Sequence, residues 1–379
     1  MSSLSSLLHK IECYTKSSGH GVFIEENFSS NLIAKRHTIP PARHTHDEQK
    51  RSISKVKKFL SSDNHTPLVI GVCFDGGGGI VGNTQWGPLF LRKALQRNYF
   101  DLGDIHIIPS LVLDEYLDSK LLRALKKHCY QLESSELKIS PLSILSDLIG
   151  SIYSAFPDRR CLILGGSHIL AYASISELLR LKRQQKRKLA VIHFDAHHDL
   201  YPHRQGIPLS ARSWCHQLLS HFDDPSLLLQ IGVRSPFLKI KGESPKIKRY
   251  GVKELHTSGC EEVINKVVSH LQKKRVDELY ITLDLDVVDP LYLPLVGTPE
   301  NDGLFPHELI SCLRLLGESF PLVGADVVEF SPFVASKLVN DFLDPEAKGV
   351  FLNPEPDSAL MVCTTILNEI LSQLGGNAR

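Results

Sequence analysis

The sequence lacks an excess of charge of either sign and has no apolar run of membrane-spanning length. Its 379 residues include 43 Lys and Arg against 42 Asp and Glu, which gives a formal net charge of +1. A chain so close to neutral gives no reason to expect nucleic acid as a partner. A membrane-spanning helix needs about 20 consecutive apolar residues, so we expect no membrane segment either.

The chain also lacks a C-x-x-C pair and a secretory start. Its eight cysteines are scattered, and several fall inside apolar runs, so we expect buried thiols of a reducing compartment. The N-terminal residues do not combine a basic start with the apolar stretch of a signal peptide. Together these absences predict a cytoplasmic protein.

Short β-branched runs alternate with amphipathic helical stretches from residue 66 onward. This alternation is typical of a parallel sheet with both faces covered, so an α/β fold is predicted. Residues 1–65 are polar and weakly periodic, and we interpret them as an N-terminal extension of unknown role before one domain over residues 66–379. The predicted strands are Leu68–Phe74, Ile105–Ile108, Cys161–Leu164, Leu189–Phe194, Leu227–Ile231, Lys248–Val252, Leu279–Leu283 and Leu322–Val327.

Acids and histidines follow several of these strands. In parallel sheets the working residues gather past the carboxyl ends of the strands. One strand runs into Asp195, His197 and Asp199, and residues two apart on an extended chain point the same way. The segment has no Lys or Arg, and like charges buried together are costly unless a cation neutralises them. It therefore predicts a metal site.

Two further strand ends add candidates of the same kind. Asp284 and Asp286 close a β-rich run without a basic neighbour, whereas Asp289, before a proline, is typical of a turn. His168 follows two glycines, which permit a sharp turn and close approach of the backbone. The joint set of candidate ligands is His168, Asp195, His197, Asp199, Asp284 and Asp286.

The composition of this set indicates which metal and which reaction to expect. Its four carboxylates carry a charge of −4, which two divalent ions balance. Oxygen and imidazole ligands without thiolate suit Mn²⁺, and after it Ni²⁺, Fe²⁺ or Co²⁺. Two such ions about 3.5–4 Å apart share a water and lower its pKa, so the predicted reaction class is hydrolysis.

Glu329 ends a fourth strand, just before a proline. If it lies near the metals, its carboxylate repels an anionic substrate such as a phosphate. It favours instead a planar cation with paired N–H groups, as in a guanidinium or amidinium. Two alternatives stay open for Glu329. It supports a metal ligand by a hydrogen bond, or it faces solvent or forms a salt bridge.

The sequence resembles the ureohydrolase family, which includes arginases, agmatinases and formimidoylglutamases. The motifs that carry the resemblance span about residues 66 to 375 and include Gly165-Gly166-Ser167-His168, Asp195-Ala196-His197-His198-Asp199, Asp284-Leu285-Asp286, Gly297-Thr298-Pro299 and Asp326-Val327-Val328-Glu329, with Gly87-Pro88 and Arg92 near the start. The resemblance implies a three-layer α/β/α fold with an eight-stranded, mostly parallel sheet. It also implies two Mn²⁺ ions and a homo-oligomer, a trimer or hexamer.

Residue by residue, the resemblance assigns the ligands of each ion. One ion is implied on His168, Asp195, Asp199 and Asp284. The second is implied on Asp195, His197, Asp284 and Asp286, so that Asp195 and Asp284 bridge the two ions. Glu329 corresponds to the residue that holds the amidinium or guanidinium.

The chain departs from the family pattern after the second metal motif. Arginases and agmatinases usually carry a His-Gly pair there, and the segment Leu209–Trp214 has none. Formimidoylglutamases also lack that histidine, and their Gly-Gly-x-His-x-x-Ala-Tyr pattern resembles residues 165–172, whereas Gly297-Thr298-Pro299-Glu300 is closer to agmatinases. Candidates for proton transfer in this chain are His198, His203 and His216, and Arg212 is a candidate for contact with a substrate carboxylate.

The sequence thus predicts a two-metal hydrolase of the C–N bond in a small cationic linear amidine or guanidine, with Glu329, Asp195 and Asp284 in catalysis and Glu329 and Arg212 in substrate binding. A formimidoylglutamase-type substrate is preferred, and an agmatinase- or arginase-type enzyme releasing urea is the first alternative. A binuclear phosphoesterase and a non-catalytic family member stay open. The run Asp75–Gly79 is expected to be a loop at the site mouth, because it lacks the Lys-Ser/Thr ending of a phosphate-binding loop.

Overall fold

A single mixed sheet organises the chain, as a computed structural model shows. The structure describes residues 3–22, 46–62, 65–78, 82–131, 135–234, 246–333 and 356–376. In these residues the strands are β1 Thr15–Lys16, β2 Leu68–Val72, β3 Phe100–Ile105, β4 Cys161–Gly165, β5 Leu189–Phe194, β6 Leu228–Ile231, β7 Lys248–Tyr250, β8 Glu278–Asp284 and β9 Leu322–Val328. Their order in the sheet is β1-β3-β2-β4-β9-β8-β5-β6-β7.

Eight of the strands are parallel, and they correspond to the eight that the sequence predicts. Among the described residues the sheet has nine strands rather than eight, because β1 adds an antiparallel pairing at one edge. In this pairing Thr15 lies opposite Ile105 and Lys16 opposite Asp104. A strand of two residues is too short to show the alternation of side chains by which strands are recognised in a sequence.

Strand β3 begins earlier than the predicted Ile105–Ile108, because its charged residues are neutralised in the fold. Asp101 and Asp104 interrupt the apolar pattern of this stretch. Arg92 neutralises both, with Nε 2.9 Å from Asp101 Oδ2 and Nη1 2.5 Å from Asp104 Oδ1. The arginine of the Gly87-Pro88 segment therefore anchors its helix to strand β3, which lies near the edge of the sheet.

Helices cover both faces of the sheet. Every residue of β8 and β9 is buried, which requires packing on both sides. Helices α1, α2, α5, α6 and α7 form one contacting group, and α3, α8, α9, α10 and α11 form another, so the predicted three-layer α/β/α fold is confirmed. In the described residues the bounds are α1 Ser3–Tyr14, α2 His46–Leu60, α3 Gly87–Lys93, α4 Ser119–Tyr130, α5 Pro141–Ala155, α6 Leu170–Gln184, α7 Trp214–Leu218, α8 Val252–Ser258, α9 Cys260–Lys273, α10 Pro306–Ser319 and α11 Pro356–Gly375.

The described part of the N-terminal segment packs on the same apolar core as the sheet. Leu7 and Ile11 of α1 and Val56 and Leu60 of α2 belong to that core. The division of the chain at residue 65 stays a prediction. None of the described helices combines the length and apolarity needed to cross a membrane. All eight cysteines are free, and six of them are buried.

Four strands at the centre of the sheet position the candidate residues. Strands β4, β9, β8 and β5 are neighbours in that order and run parallel. Their carboxyl ends therefore lie side by side at one edge of the sheet, where the predicted ligands follow them.

Candidate metal centre

One buried group of ligands forms around the imidazole of His168, which follows β4. His168 Nδ1 lies 3.1 Å from Asp195 Oδ2, at the end of β5, and 3.3 Å from Asp284 Oδ2, at the end of β8. Asp199 Oδ2 is 3.6 Å from the same nitrogen. All four side chains are nearly inaccessible to solvent. The structure thus brings together one imidazole and three acids that the sequence predicts as ligands.

A second group forms around His197 and shares Asp195 with the first. His197 Nδ1 lies 2.9 Å from Asp286 Oδ2 and 3.4 Å from Asp195 Oδ1. Asp195 therefore presents its two oxygens to different imidazoles. The backbone N–H of Asp286 donates to Asp284 Oδ1 at 2.9 Å, which joins the third acid of the first group to the second group.

Two residues of the site have backbones in the left-handed region. Asp199 has φ of 50° and Glu329 has φ of 63°, which is costly for residues other than glycine and is concentrated at functional sites. Alternation along an extended chain does not explain why Asp199 reaches the site. The prediction was wrong on this point, because the backbone of Asp199 is left-handed rather than extended. Trp214, from the segment that lacks the His-Gly pair, holds Asp199 by donating from Nε1 to Oδ2 at 2.7 Å.

The hydrogen bonds of His168 show that its inner nitrogen is available to a cation. Thr282 Oγ1 donates to Asp326 Oδ1 at 2.7 Å, so it accepts from His168 Nε2 at 2.8 Å. The ring proton is thereby assigned to Nε2, and Nδ1 carries a lone pair. Among the described residues Nδ1 has no hydrogen-bond partner, although it is buried and faces three carboxylates. An unpaired acceptor in such surroundings fits a metal ligand.

The electrostatics of the carboxylates also fit a cation. Burial raises the pKa of Asp284 and Asp199 well above the usual range, and neighbouring carboxylates raise both further. In the described part of the chain, the carboxylates of the predicted ligands form ion pairs with histidines but with no lysine or arginine. Two divalent ions would neutralise these acids, and oxygen and imidazole donors suit Mn²⁺ and its neighbours.

His193 supports the site and was not among the predicted residues. Its Nε2 lies 2.7 Å from Asp195 Oδ2, and its Nδ1 accepts from Gln230 Nε2 at 3.0 Å. Arg249 Nε donates in turn to Gln230 Oε1 at 2.6 Å. Both ring nitrogens of His193 are therefore engaged, and it orients Asp195 as a hydrogen-bond donor. The alternate spacing of His193, Asp195 and His197 was the signal that could have found it.

Glu329 lies beside the first group, in contact with the backbone of His168. The backbone N–H of His168 donates to Glu329 Oε1 at 2.8 Å, and a Cβ on Gly297 would lie 2.7 Å from Oε2. Burial raises the pKa of Glu329 to about 7, and the charge of Asp75 acts in the same direction. The Glu329 N–H donates to the carbonyl of Gly166, and a Cβ on Gly166 would overlap the backbone carbonyl of Phe74, just after β2. This is the close approach expected of the glycine pair.

The three histidines proposed for proton transfer, His198, His203 and His216, lie outside both ligand groups among the described residues. His198 is buried and accepts from the N–H of Leu200 at 2.9 Å, and burial lowers its pKa to about 4. Arg212 is exposed, and its charge acts on the carboxylate of Glu300.

The predicted loop Asp75–Gly79 lies against the segment that departs from the family pattern. Asp75 Oδ1 accepts from Thr84 Oγ1 at 2.5 Å. The carbonyl of Gly77 accepts from the N–H of Ala211 at 2.9 Å, and the carbonyl of Gly78 accepts from Arg204 at 2.7 Å. Gly79 is outside the described residues.

Fold and site together define an α/β protein with a buried carboxylate–imidazole centre at the carboxyl edge of a parallel sheet. The family model "Arginase family" matches residues 65–340. This match covers more than half of the chain, which therefore belongs to the arginase family.

Named relatives agree with this membership. The chain is 28% identical over 338 residues to proclavaminate amidinohydrolase of Streptomyces clavuligerus, covering 81% of this chain and 90% of that protein. It is 28% identical over 278 residues to agmatinase of Bacillus anthracis, covering 69% and 80%. The solved structure of formimidoylglutamase from Bacillus subtilis has a TM-score of 0.62 at 20% identity, over 84% of this chain and 90% of that one, a likeness that shows the fold.

Proposed function

We propose that this arginase-family protein hydrolyses the C–N bond of a small cationic linear amidine or guanidine with two divalent ions, Mn²⁺ or, less favoured, Ni²⁺. The proposed ligands are His168, Asp195, His197, Asp199, Asp284 and Asp286, with Asp195 and Asp284 between the ions. The two oxygens of Asp195, which face His168 and His197, support its shared position. Two ions held there would lower the pKa of a shared water and supply a nucleophile at neutral pH.

The observation that carries the proposal is the buried carboxylate of Glu329 beside these ligands. His168 N–H fixes Oε1, and the missing side chain of Gly297 leaves room at Oε2. A carboxylate held in one orientation suits a planar cation whose two N–H groups lie in one plane. Asp75 adds further negative charge, so an anionic phosphoester is repelled.

A carboxylate-bearing tail is supported by Arg212. This side chain is exposed, and its charge reaches Glu300, whose Oε1 lies 3.4 Å from His197 Nε2. Arg212 is thus a cation near the metal centre that is open to a ligand. A formimidoyl-amino acid, with a cationic amidine at one end and a carboxylate at the other, matches Glu329 and Arg212 together. This substrate class is our first candidate, with formamide as co-product.

A guanidine without a carboxylate, such as agmatine, is the second candidate. The observation that favours it is the half-buried carboxylate of Asp75, whose charge acts on Glu329. Asp75 accepts a hydrogen bond from Thr84, which is a neutral partner. A pocket with two carboxylates favours a substrate of higher positive charge, and urea is then the co-product.

Product analysis on a substrate panel tests both candidates. Protein stripped by a chelator and reloaded with Mn²⁺ is assayed for formamide, urea and ammonia from formimidoylglutamate, agmatine and arginine, with nitrophenyl phosphate as the contrasting substrate. We expect formamide or urea from the loaded protein and none from Asp195→Ala that circular dichroism shows to be folded. Protein that holds two ions per chain and releases no product from any amidine or guanidine would refute the function.

Arg212→Gln distinguishes the two substrate classes. Since the arginine is proposed to meet a carboxylate, we expect a higher KM for formimidoylglutamate and an unchanged KM for agmatine. An unchanged KM for formimidoylglutamate would remove the reason for preferring it. A trimer or hexamer and a cytoplasmic location stay predictions, which light scattering and cell fractionation can test.

A further inference from the structure

The two imidazoles of the proposed centre each need a partner for the nitrogen that faces away from the ligands. For His168 this partner is Thr282, as described above. For His197 the corresponding nitrogen, Nε2, lies 3.4 Å from Oε1 of Glu300. Glu300 belongs neither to the six proposed ligands nor to the substrate-holding role of Glu329.

We propose that Glu300 is a positioning residue of the metal centre, whose carboxylate accepts the Nε2 proton of His197 and so keeps Nδ1 free for an ion. This inference rests on the proposed metal site. A neutral imidazole carries one N–H, and the acceptor near one nitrogen decides which nitrogen holds the proton. His197 Nδ1 is the nitrogen that faces Asp195 and Asp286. With its proton on Nε2, the ring presents a lone pair where those acids converge.

The backbone around Glu300 is held in place by Arg234. Arg234 Nη2 donates to the carbonyl of Glu300 at 2.6 Å, and Nε donates to the carbonyl of Asn301 at 2.8 Å. The same Nη2 donates to the carbonyl of Asp286, a proposed ligand, at 2.7 Å. The backbone N–H of Arg234 donates to the carbonyl of Ala196 at 3.0 Å, between two further ligands. Arg234 therefore joins the loop of Glu300 to two segments that carry ligands, through its guanidinium to Asp286 and through its backbone N–H to Ala196.

This arrangement assigns different supports to the two ion positions. The first histidine is oriented by a neutral hydroxyl in the core of the sheet, and the second by a carboxylate at the partly exposed edge of the site. Loss of Glu300 should therefore affect one ion and spare the other. Partners of this kind typically change metal affinity by about 10–100-fold when they are removed.

Titration of the protein with Mn²⁺, followed by electron paramagnetic resonance, tests the inference. Wild type is expected to bind two ions per chain. In Glu300→Ala one of the two dissociation constants should rise by about 10–100-fold while the other is unchanged. Glu300→Gln, whose amide oxygen still accepts a hydrogen bond, should lose less. The matched control is Glu308→Gln, which removes a glutamate 3.1 Å from His256 Nε2, away from the metal centre.

The outcomes separate this inference from the proposed function. Folded Glu300→Ala that binds both ions as tightly as wild type, or that loses both equally, overturns the role of Glu300. Wild type that binds no Mn²⁺ overturns the metal site and the inference with it. Wild type that holds two ions, shows the selective loss in Glu300→Ala and turns over no amidine supports Glu300 while it refutes the function.

Discussion

Gly297→Ala tests the substrate-holding role of Glu329 without changing any charge. An added Cβ would lie 2.7 Å from Glu329 Oε2, and its next neighbour, Thr84 Cγ2, would be 3.6 Å away. The backbone of Gly297 is outside the left-handed region, so alanine introduces this one close contact without conformational strain. The carboxylate of Glu329 must therefore give way.

The size of the effect follows from the distances. Oε2 must retreat by roughly 0.7 Å to reach the 3.4 Å at which ordinary van der Waals contact begins. Since His168 N–H holds the other oxygen at 2.8 Å, the retreat also weakens that hydrogen bond. A misplacement of about 1 Å can cost about 100-fold in rate. We expect kcat/KM to fall by about 10–100-fold, which is about 1.4–2.7 kcal/mol of transition-state stabilisation.

Steady-state kinetics on the substrate found in the panel, with Mn²⁺ content and thermal denaturation measured in parallel, provides the assay. The matched control is Gly375→Ala, where an added Cβ would meet no atom within 4 Å and the backbone is again outside the left-handed region. This control should keep wild-type kinetics. Metal content should be unchanged in both variants, because Glu329 is not a proposed ligand.

Two results would refute the reasoning. Wild-type kcat/KM in Gly297→Ala would show that the position of the Glu329 carboxylate does not matter for the substrate. Loss of Mn²⁺ together with activity would place Glu329 in the metal centre rather than in the substrate site.

Three further predictions concern stability. Removal of metal by a chelator should lower Tm by several degrees, because Mn²⁺ at about 100 times its Kd adds about 2.7 kcal/mol to the free energy of unfolding. An unchanged Tm in calorimetry would contradict a site of mutually repelling acids that a metal neutralises. Thr282→Val should lower the free energy of unfolding in urea by about 1–3 kcal/mol, because it leaves His168 Nε2 and Asp326 without their shared partner. Thr282→Ser keeps a hydroxyl and should lose less. Equal stability of the two variants would contradict this role of the hydroxyl. Burial, and then Lys16, lower the pKa of His106 well below its usual value, so the unfolded chain binds a proton there that the folded chain does not. The contribution of His106 to the free energy of unfolding should therefore be full above about pH 6.5 and fall by up to about 1.4 kcal/mol per pH unit below it. In His106→Gln the free energy of unfolding should fall less steeply as the pH is lowered. Parallel plots of this free energy against pH for the two proteins would contradict the prediction.

Features with a strong local signature were predictable from the sequence. The fully buried strands β2, β4, β5, β6, β8 and β9 are continuous apolar runs, so they were found close to their bounds. The acids of the site were found because Asp195, Asp284 and their neighbours end such runs without a basic residue beside them. Acidic residues without a basic neighbour are uncommon next to a buried strand, so they can be recognised from the sequence alone.

Features that depend on partners distant in the sequence were not predictable. Strand β3 was misplaced because Arg92, which neutralises its two acids, lies on a preceding helix. The contacts of Thr282, Trp214 and Glu300 with the predicted ligands were not predictable, because each partner is far away in the sequence and is brought close only by the fold.

The sequence by itself therefore determined the class of fold and which acids at the strand ends lack a basic neighbour, because apolar runs and unpaired acids leave a local pattern. Only the tertiary structure decided that the ring proton of His168 lies on Nε2, where Glu329 presents its carboxylate, and which loops Arg234 joins. Hydrogen bonds act over about 3 Å in space and are indifferent to separation along the chain.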